Sequence, residues 1–145
     1  MSEKSSFRPR RSVLYLPASN LRALEKAKTL TVDALILDLE DSVAPGEKPV
    51  ARSQLAQALA AGGYGKRELV VRVNDPAGPW GADDIAMAAR AEPDAILIPK
   101  VNGAADVARA REAIRSANPQ SRTRLWAMIE TPTGILKADE IGAAA

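Results

Sequence analysis

The 145-residue sequence contains no cysteine and no histidine, and aromatic residues make up only 3% of it. Without thiols there is no disulfide, thiolate nucleophile or cysteine zinc site. Without imidazole there is no Ser-His-Asp triad and no histidine metal ligand. Carboxylates, lysine, arginine, hydroxyls and backbone groups are the remaining tools, so any metal held here is a hard, oxygen-bound ion such as Mg²⁺ or Mn²⁺. An excess of one charge is also lacking: 20 Lys and Arg against 18 Asp and Glu give a net charge of +2. With few aromatics to stack on bases and a single dense basic run (Arg8, Arg10, Arg11), no nucleic-acid partner is expected. That run reads as a solvated N-terminal arm over residues 1–11. No apolar run approaches the length of a membrane span, and the arm lacks the apolar core of a signal peptide. No membrane partner is expected, and the cytoplasm is the expected compartment.

Apolar residues are plentiful at 46%, enough to bury the core of one ordinary domain. The most informative stretch is Ala34-Leu35-Ile36-Leu37-Asp38-Leu39-Glu40-Asp41. It reads as a buried strand from whose end three carboxylates emerge. At an effective dielectric near 20, two carboxylates about 4 Å apart repel by roughly 4 kcal/mol, so a cation is expected opposite them. Alternation puts Asp38 and Glu40 on one face with Ala34 and Ile36, while Asp41 points away if the strand continues that far.

The rest of the chain alternates strand and helix. Strands are expected at Ser12 to Pro17, at the acidic stretch, and at Glu68 to Val73, Ala95 to Ile98 and Leu125 to Ile129. Helices are expected after Asn20, from about Pro49 to Gly62-Gly63, after Asp83-Asp84, from about Ala104 to Ser116, and from Thr133 onward. Five such units imply a mainly parallel sheet flanked by helices, and in such folds functional groups gather at the carboxyl ends of the strands. Reading those ends by alternation, Arg72 and Asn74 share a face with Val70, Lys100 follows Ile96 and Ile98, and Glu130 follows Trp126 and Met128. These faces are expected to line one mouth. Arg72 is then the cation for Asp38 or Glu40, and Glu130 a candidate ligand for a hard cation. Arg11, Lys48 and Arg52 near the mouth are open to phosphates or to solvent.

The stretches RSVLYLPASN, DALILDLEDSVAPGEKPVAR, LVVRVND, DAILIPKV and AMIETPTGI, in this order and from Arg11 onward, resemble the HpcH/HpaI aldolase and citrate lyase family, in its citrate lyase beta-subunit-like branch. The resemblance implies a TIM (β/α)₈ barrel, of which residues 12–145 supply about the first five βα units. It implies a Mg²⁺-dependent carbon-carbon lyase that cleaves a 3-hydroxy acyl thioester, such as citryl-, citramalyl- or malyl-CoA, into a keto acid and an acyl thioester of CoA or an acyl carrier. By the same resemblance, Arg72 binds the substrate's carboxylate or keto oxygen, Glu130 is one of two acidic metal ligands, and Glu40 and Asp41 lie near the metal's waters. Arg72, Glu40 and Asp41 are thus the catalytic candidates, and Arg72 and Glu130, with Lys100 from its place at a strand end, the candidate substrate-binding residues.

A barrel of this kind needs about 250 residues, so the remainder, including the second metal-ligating Asp, is expected beyond Ala145, and the chain alone is expected to be inactive. A neighbouring subunit often closes the site in this branch, which implies a homo-oligomer. Two other readings remain: a catalytically dead structural or regulatory subunit on the same barrel, and a flavodoxin-like Mg²⁺-binding signalling domain. The second fits poorly, because the acids follow the second strand and the lysine the fourth.

Overall fold

The structure, a computed structural model, describes residues 8–145. Five strands, β1 (Val13–Pro17), β2 (Ala34–Asp38), β3 (Glu68–Arg72), β4 (Ala95–Ile98) and β5 (Arg124–Ala127), form one parallel sheet in the order in which they occur in the chain. Consecutive order without reversal is that of neighbouring staves in a (β/α)₈ barrel. A flavodoxin-like sheet has the order 2-1-3-4-5, so the signalling-domain reading is excluded.

Among the described residues six α-helices follow the strands: α1 (Leu21–Ala27), α2 (Lys48–Ala61), preceded by a 3-10 turn at Pro45–Glu47, α3 (Gly81–Ala91), α4 (Ala104–Ala117), α5 (Pro132–Leu136) and α6 (Ala138–Ala144). Local chemistry sets their ends. Asn20 Oδ1 accepts the Ala23 amide at 3.0 Å to cap α1, Pro49 lies in the first turn of α2, and Gly62 ends α2 with φ +64°. The last helix expected from sequence is broken in two at Lys137.

The sheet has two unlike faces. Leu35, Leu37, Val71, Val73, Ile96 and Ile98 pack with the helices in the main core. On the other face Ile36, Val70, Ala95 and Leu97 form a smaller cluster with Trp126 and Met128, and this is the barrel's interior side. On β4 the alternation expected from sequence is therefore inverted: Ala95 and Leu97, not Ile96 and Ile98, face inward. A strand buried on both faces is apolar throughout, so period two carries no label for the inner side.

Arg10 is exposed, as expected of the arm, but it is tethered rather than free. Its guanidinium pairs with the buried carboxylate of Glu68 and lies 5.0 Å from the Trp126 ring centroid. Arg11 lies at the same amino-terminal end of the sheet, where it pairs with Asp33 at 3.1 Å, so it is remote from the mouth that the sequence assigned it to. Residues 1–7 of the expected arm lie outside the described residues.

Candidate functional site

The register of the sheet builds the site. Asp38 on β2 is the direct neighbour of Arg72 on β3, and both are buried on the interior side at the carboxyl end of their strands. Their side chains meet fork to fork, with Nε to Oδ1 and Nη2 to Oδ2 both at 2.7 Å. Burial pushes the Asp38 carboxyl up, but the hydrogen bonds from Arg72, from Ser42 and from the Glu40 amide outweigh it and hold the net value below the ordinary aspartate value. Asp38 in turn raises the Arg72 pKa, so this guanidinium is permanently charged. The Tyr15 ring lies 5.1 Å from the guanidinium carbon and gives it an aromatic face.

With the Nε–Nη2 edge of the guanidinium held by Asp38, Nη1 is the nitrogen presented to the mouth. It lies 3.1 Å from Glu40 Oε2 and 3.8 Å from Met128 Sδ. Glu40 Oε1 takes Lys100 Nζ at 2.6 Å, while Oε2 is buried with no directed hydrogen bond. Lys100 reaches the mouth although β4 has the opposite phase, because its backbone turns into the left-handed region at φ +52°. The same residue's amide donates to Glu130 Oε1 at 2.9 Å. Its ammonium pKa is raised, first by the hydrogen bond to Glu40.

Thus Arg72, Glu40, Lys100 and Glu130 form one continuous chain of contacts at one mouth. Asp41 is peripheral: its side chain is 66% exposed and 3.7 Å from Lys100 Nζ. Asn74 departs from the expected face. It leaves Arg72 and bonds Lys48, the Leu39 carbonyl and Asp84 beneath the helices. Lys48 is buried and Arg52 pairs with Asp84 at 2.7 Å, so neither is a free phosphate ligand. An open groove of about 460 Å³ runs beside the mouth, lined in part by Glu40, Lys48, Trp80 and Lys100.

The acids Asp38, Glu40, Asp41 and Glu130 outnumber Arg72 and Lys100 by two, and by one if buried Lys48 is included. Excess carboxylate charge, and a buried Glu40 oxygen that meets Arg72 Nη1 without a directed hydrogen bond, suit a hard divalent cation. Mg²⁺ commonly takes only one or two carboxylates, completing its shell with water and substrate oxygens. Among the described residues no group of three or more acids is close enough to cage a metal alone.

The profile of the HpcH/HpaI aldolase/citrate lyase family matches residues 11–145. The chain belongs to this family. Over 135 residues it is 50% identical to a (3S)-malyl-CoA thioesterase of Cereibacter sphaeroides, covering 93% of this chain and 45% of that protein. It is 38% identical to the citrate lyase subunit beta of Escherichia coli, covering 92% and 46%. Among solved structures, protein CitE of Mycobacterium tuberculosis in complex with magnesium, acetoacetate and coenzyme A superposes with a TM-score of 0.75 at 29% identity, covering 96% of this chain and 47% of that one. The citrate lyase beta subunit of the same organism, complexed with oxaloacetate and magnesium, gives 0.73 at 29% identity, covering 94% and 55%. This family member therefore spans about half the length of the curated relatives it matches.

Tyr15 escaped sequence reasoning, because it sits in an apolar run and reads as core. Asp38 was expected to meet Arg72, and does, but its part in orienting that cation was not foreseen. Lys48 was placed near the mouth, but as open to phosphates or solvent rather than buried.

Proposed function

We propose that residues 12–145 are the N-terminal part of the barrel domain of a Mg²⁺-dependent enzyme acting on a 3-hydroxy acyl thioester of CoA or an acyl carrier. The reaction is carbon-carbon cleavage to a keto acid and an acyl thioester. What supports this reading above all is that Glu130 and Arg72 open onto the same mouth, linked through Glu40 and Lys100.

Glu130 would hold Mg²⁺, with Glu40, joined to it through Lys100, near the ion's waters; a bound ion would supply Lewis-acid polarisation of the substrate's hydroxyl or nascent keto oxygen. Arg72 presents Nη1 to the substrate carboxylate or keto oxygen. Asp38 and Tyr15 hold the guanidinium in place beforehand, so little reorganisation is needed as charge develops. Lys100 holds Glu40 from the outer side and brings a second positive charge to the mouth. The remaining barrel units supply the second acidic ligand, and a second copy of the protein closes the site.

The 50% identity to (3S)-malyl-CoA thioesterases favours one other reading, hydrolysis of the thioester at the same mouth. Incubation of the protein carrying its complete barrel with malyl-CoA and Mg²⁺ separates the two. Cleavage yields glyoxylate and acetyl-CoA, with no free thiol. Hydrolysis yields malate and free CoA. Binding of the thioester without either product fits a structural or regulatory subunit of the same fold.

A further inference from the structure

Lys48 is a buried cation that the chemistry above leaves unused. The residue is 5% exposed, yet its ammonium donates to neutral acceptors: the peptide oxygens of Leu39 at 3.0 Å and Glu40 at 2.7 Å, and Asn74 Oδ1 at 2.7 Å. The Trp80 ring centroid lies 5.2 Å away. A buried ammonium is costly unless its three donors are met, and here three acceptors meet them. The balancing negative charge lies one residue further on. Asn74 Nδ2 donates to Leu39 O at 2.8 Å and to the buried Asp84 at 2.7 Å, and Asp84 takes Arg52 at 2.7 Å. The network thus ties the end of β2 to the end of β3 through α2 and α3.

The acceptors Lys48 chooses are the informative feature. The oxygens of Leu39 and Glu40 belong to the peptide units on either side of the Glu40 Cα, so one ammonium holds both peptides flanking the residue. From the opposite side Asp38 accepts the amides of Glu40 at 2.9 Å and Ser42 at 3.1 Å. We propose that Lys48 is a positioning residue: by holding the two peptide oxygens around Glu40 toward α2, it sets the turn that aims the Glu40 carboxylate at Arg72 Nη1 and Lys100 Nζ. This rests on the reading of Glu40 as part of the site. By gripping both peptides of one residue, and sharing Leu39 O with Asn74 just past the end of β3, Lys48 acts on the direction of Glu40 as well as on the fold.

The test is amide hydrogen exchange on Lys48→Met, which keeps the length of the side chain and removes its donors, with no ligand present. Loss of the clamp is expected to speed exchange at Glu40 and Ser42 by at least about tenfold relative to Leu55 and Ile96, the equivalent of one lost hydrogen bond. Oxaloacetate binding in the presence of Mg²⁺ weakens in parallel. Lys48→Gln, which retains a neutral donor, carries the same test if the Met variant does not fold, with a smaller effect in the same direction. Exchange at the turn that is unchanged, or that rises only in step with Leu55 and Ile96, overturns the proposal and leaves Lys48 a stabilising residue. Because the exchange arm needs no ligand, failure of the wild type to bind oxaloacetate counts against the lyase reading alone.

Discussion

Asp38 and Arg72 are register partners on adjacent parallel strands, and two hydrogen bonds of 2.7 Å lock them together at the carboxyl end of the sheet. Such a pair does more than neutralise charge. It fixes which edge of the guanidinium faces the mouth, and it makes the two strand ends one mechanical unit. Removing the carboxylate with Asp38→Ala leaves a buried guanidinium with Glu40 as its only close anion among the described residues. The expected cost is about 2–4 kcal/mol, measured by urea unfolding, somewhat below the value for a fully orphaned buried charge.

Arg72→Lys keeps the charge and loses the planar fork. The folded state is retained, because an ammonium still faces Asp38, but the presented edge is gone. Binding of oxaloacetate measured by calorimetry with Mg²⁺ is expected to weaken by about 10- to 100-fold, the worth of one or two charge-assisted hydrogen bonds.

Acid sensitivity has an assignable contributor at the opposite end of the sheet. Asp33 accepts the amides of Arg11 and Ser12 as well as the Arg11 guanidinium, which holds its pKa at about 2 instead of 3.8. A carboxylate whose folded value is depressed adds stability that is complete above the ordinary value and is lost as pH falls toward the folded one, because the unfolded chain binds the proton first. Between pH 4 and pH 2 the urea midpoint of Asp33→Asn should therefore fall less steeply than that of the wild type.

Gly134 follows the Thr131 cap of α5, and a Cβ there would stand 2.4 Å from the Val101 carbonyl oxygen. Gly134→Ala is expected to lose about 1–3 kcal/mol in thermal or urea unfolding, an overpacking cost. Gly46 has open space around the same position, and Gly46→Ala serves as the near-neutral control.

The strand-helix alternation, the parallel sheet and the carboxyl-end location of Glu40, Arg72 and Glu130 were legible because each strand end shows an abrupt change from apolar to charged. Lys100 was assigned to the mouth for a reason that did not hold. In Ala-Ile-Leu-Ile both faces are apolar, so alternation could not phase β4, and it is the left-handed turn at Lys100 that returns the side chain to the site. Lys48 was illegible for a different reason. A lysine after Pro-Gly is ordinarily solvated, and its burial depends on Asn74 and Trp80, 26 and 32 positions later, which no local pattern announces.

The account depends above all on one mouth holding a divalent ion beside Arg72, and Mn²⁺ titration followed by NMR tests this most directly, since a paramagnetic ion broadens nearby amides even when it binds weakly. The resonances of Lys100, Glu130 and Glu40 are expected to broaden first, with oxaloacetate sharpening the selectivity and shifting the Arg72 side-chain signal. Broadening that is uniform, or that begins at acids away from the mouth such as Asp139 and Glu140, with Arg72 unmoved by oxaloacetate, would contradict it.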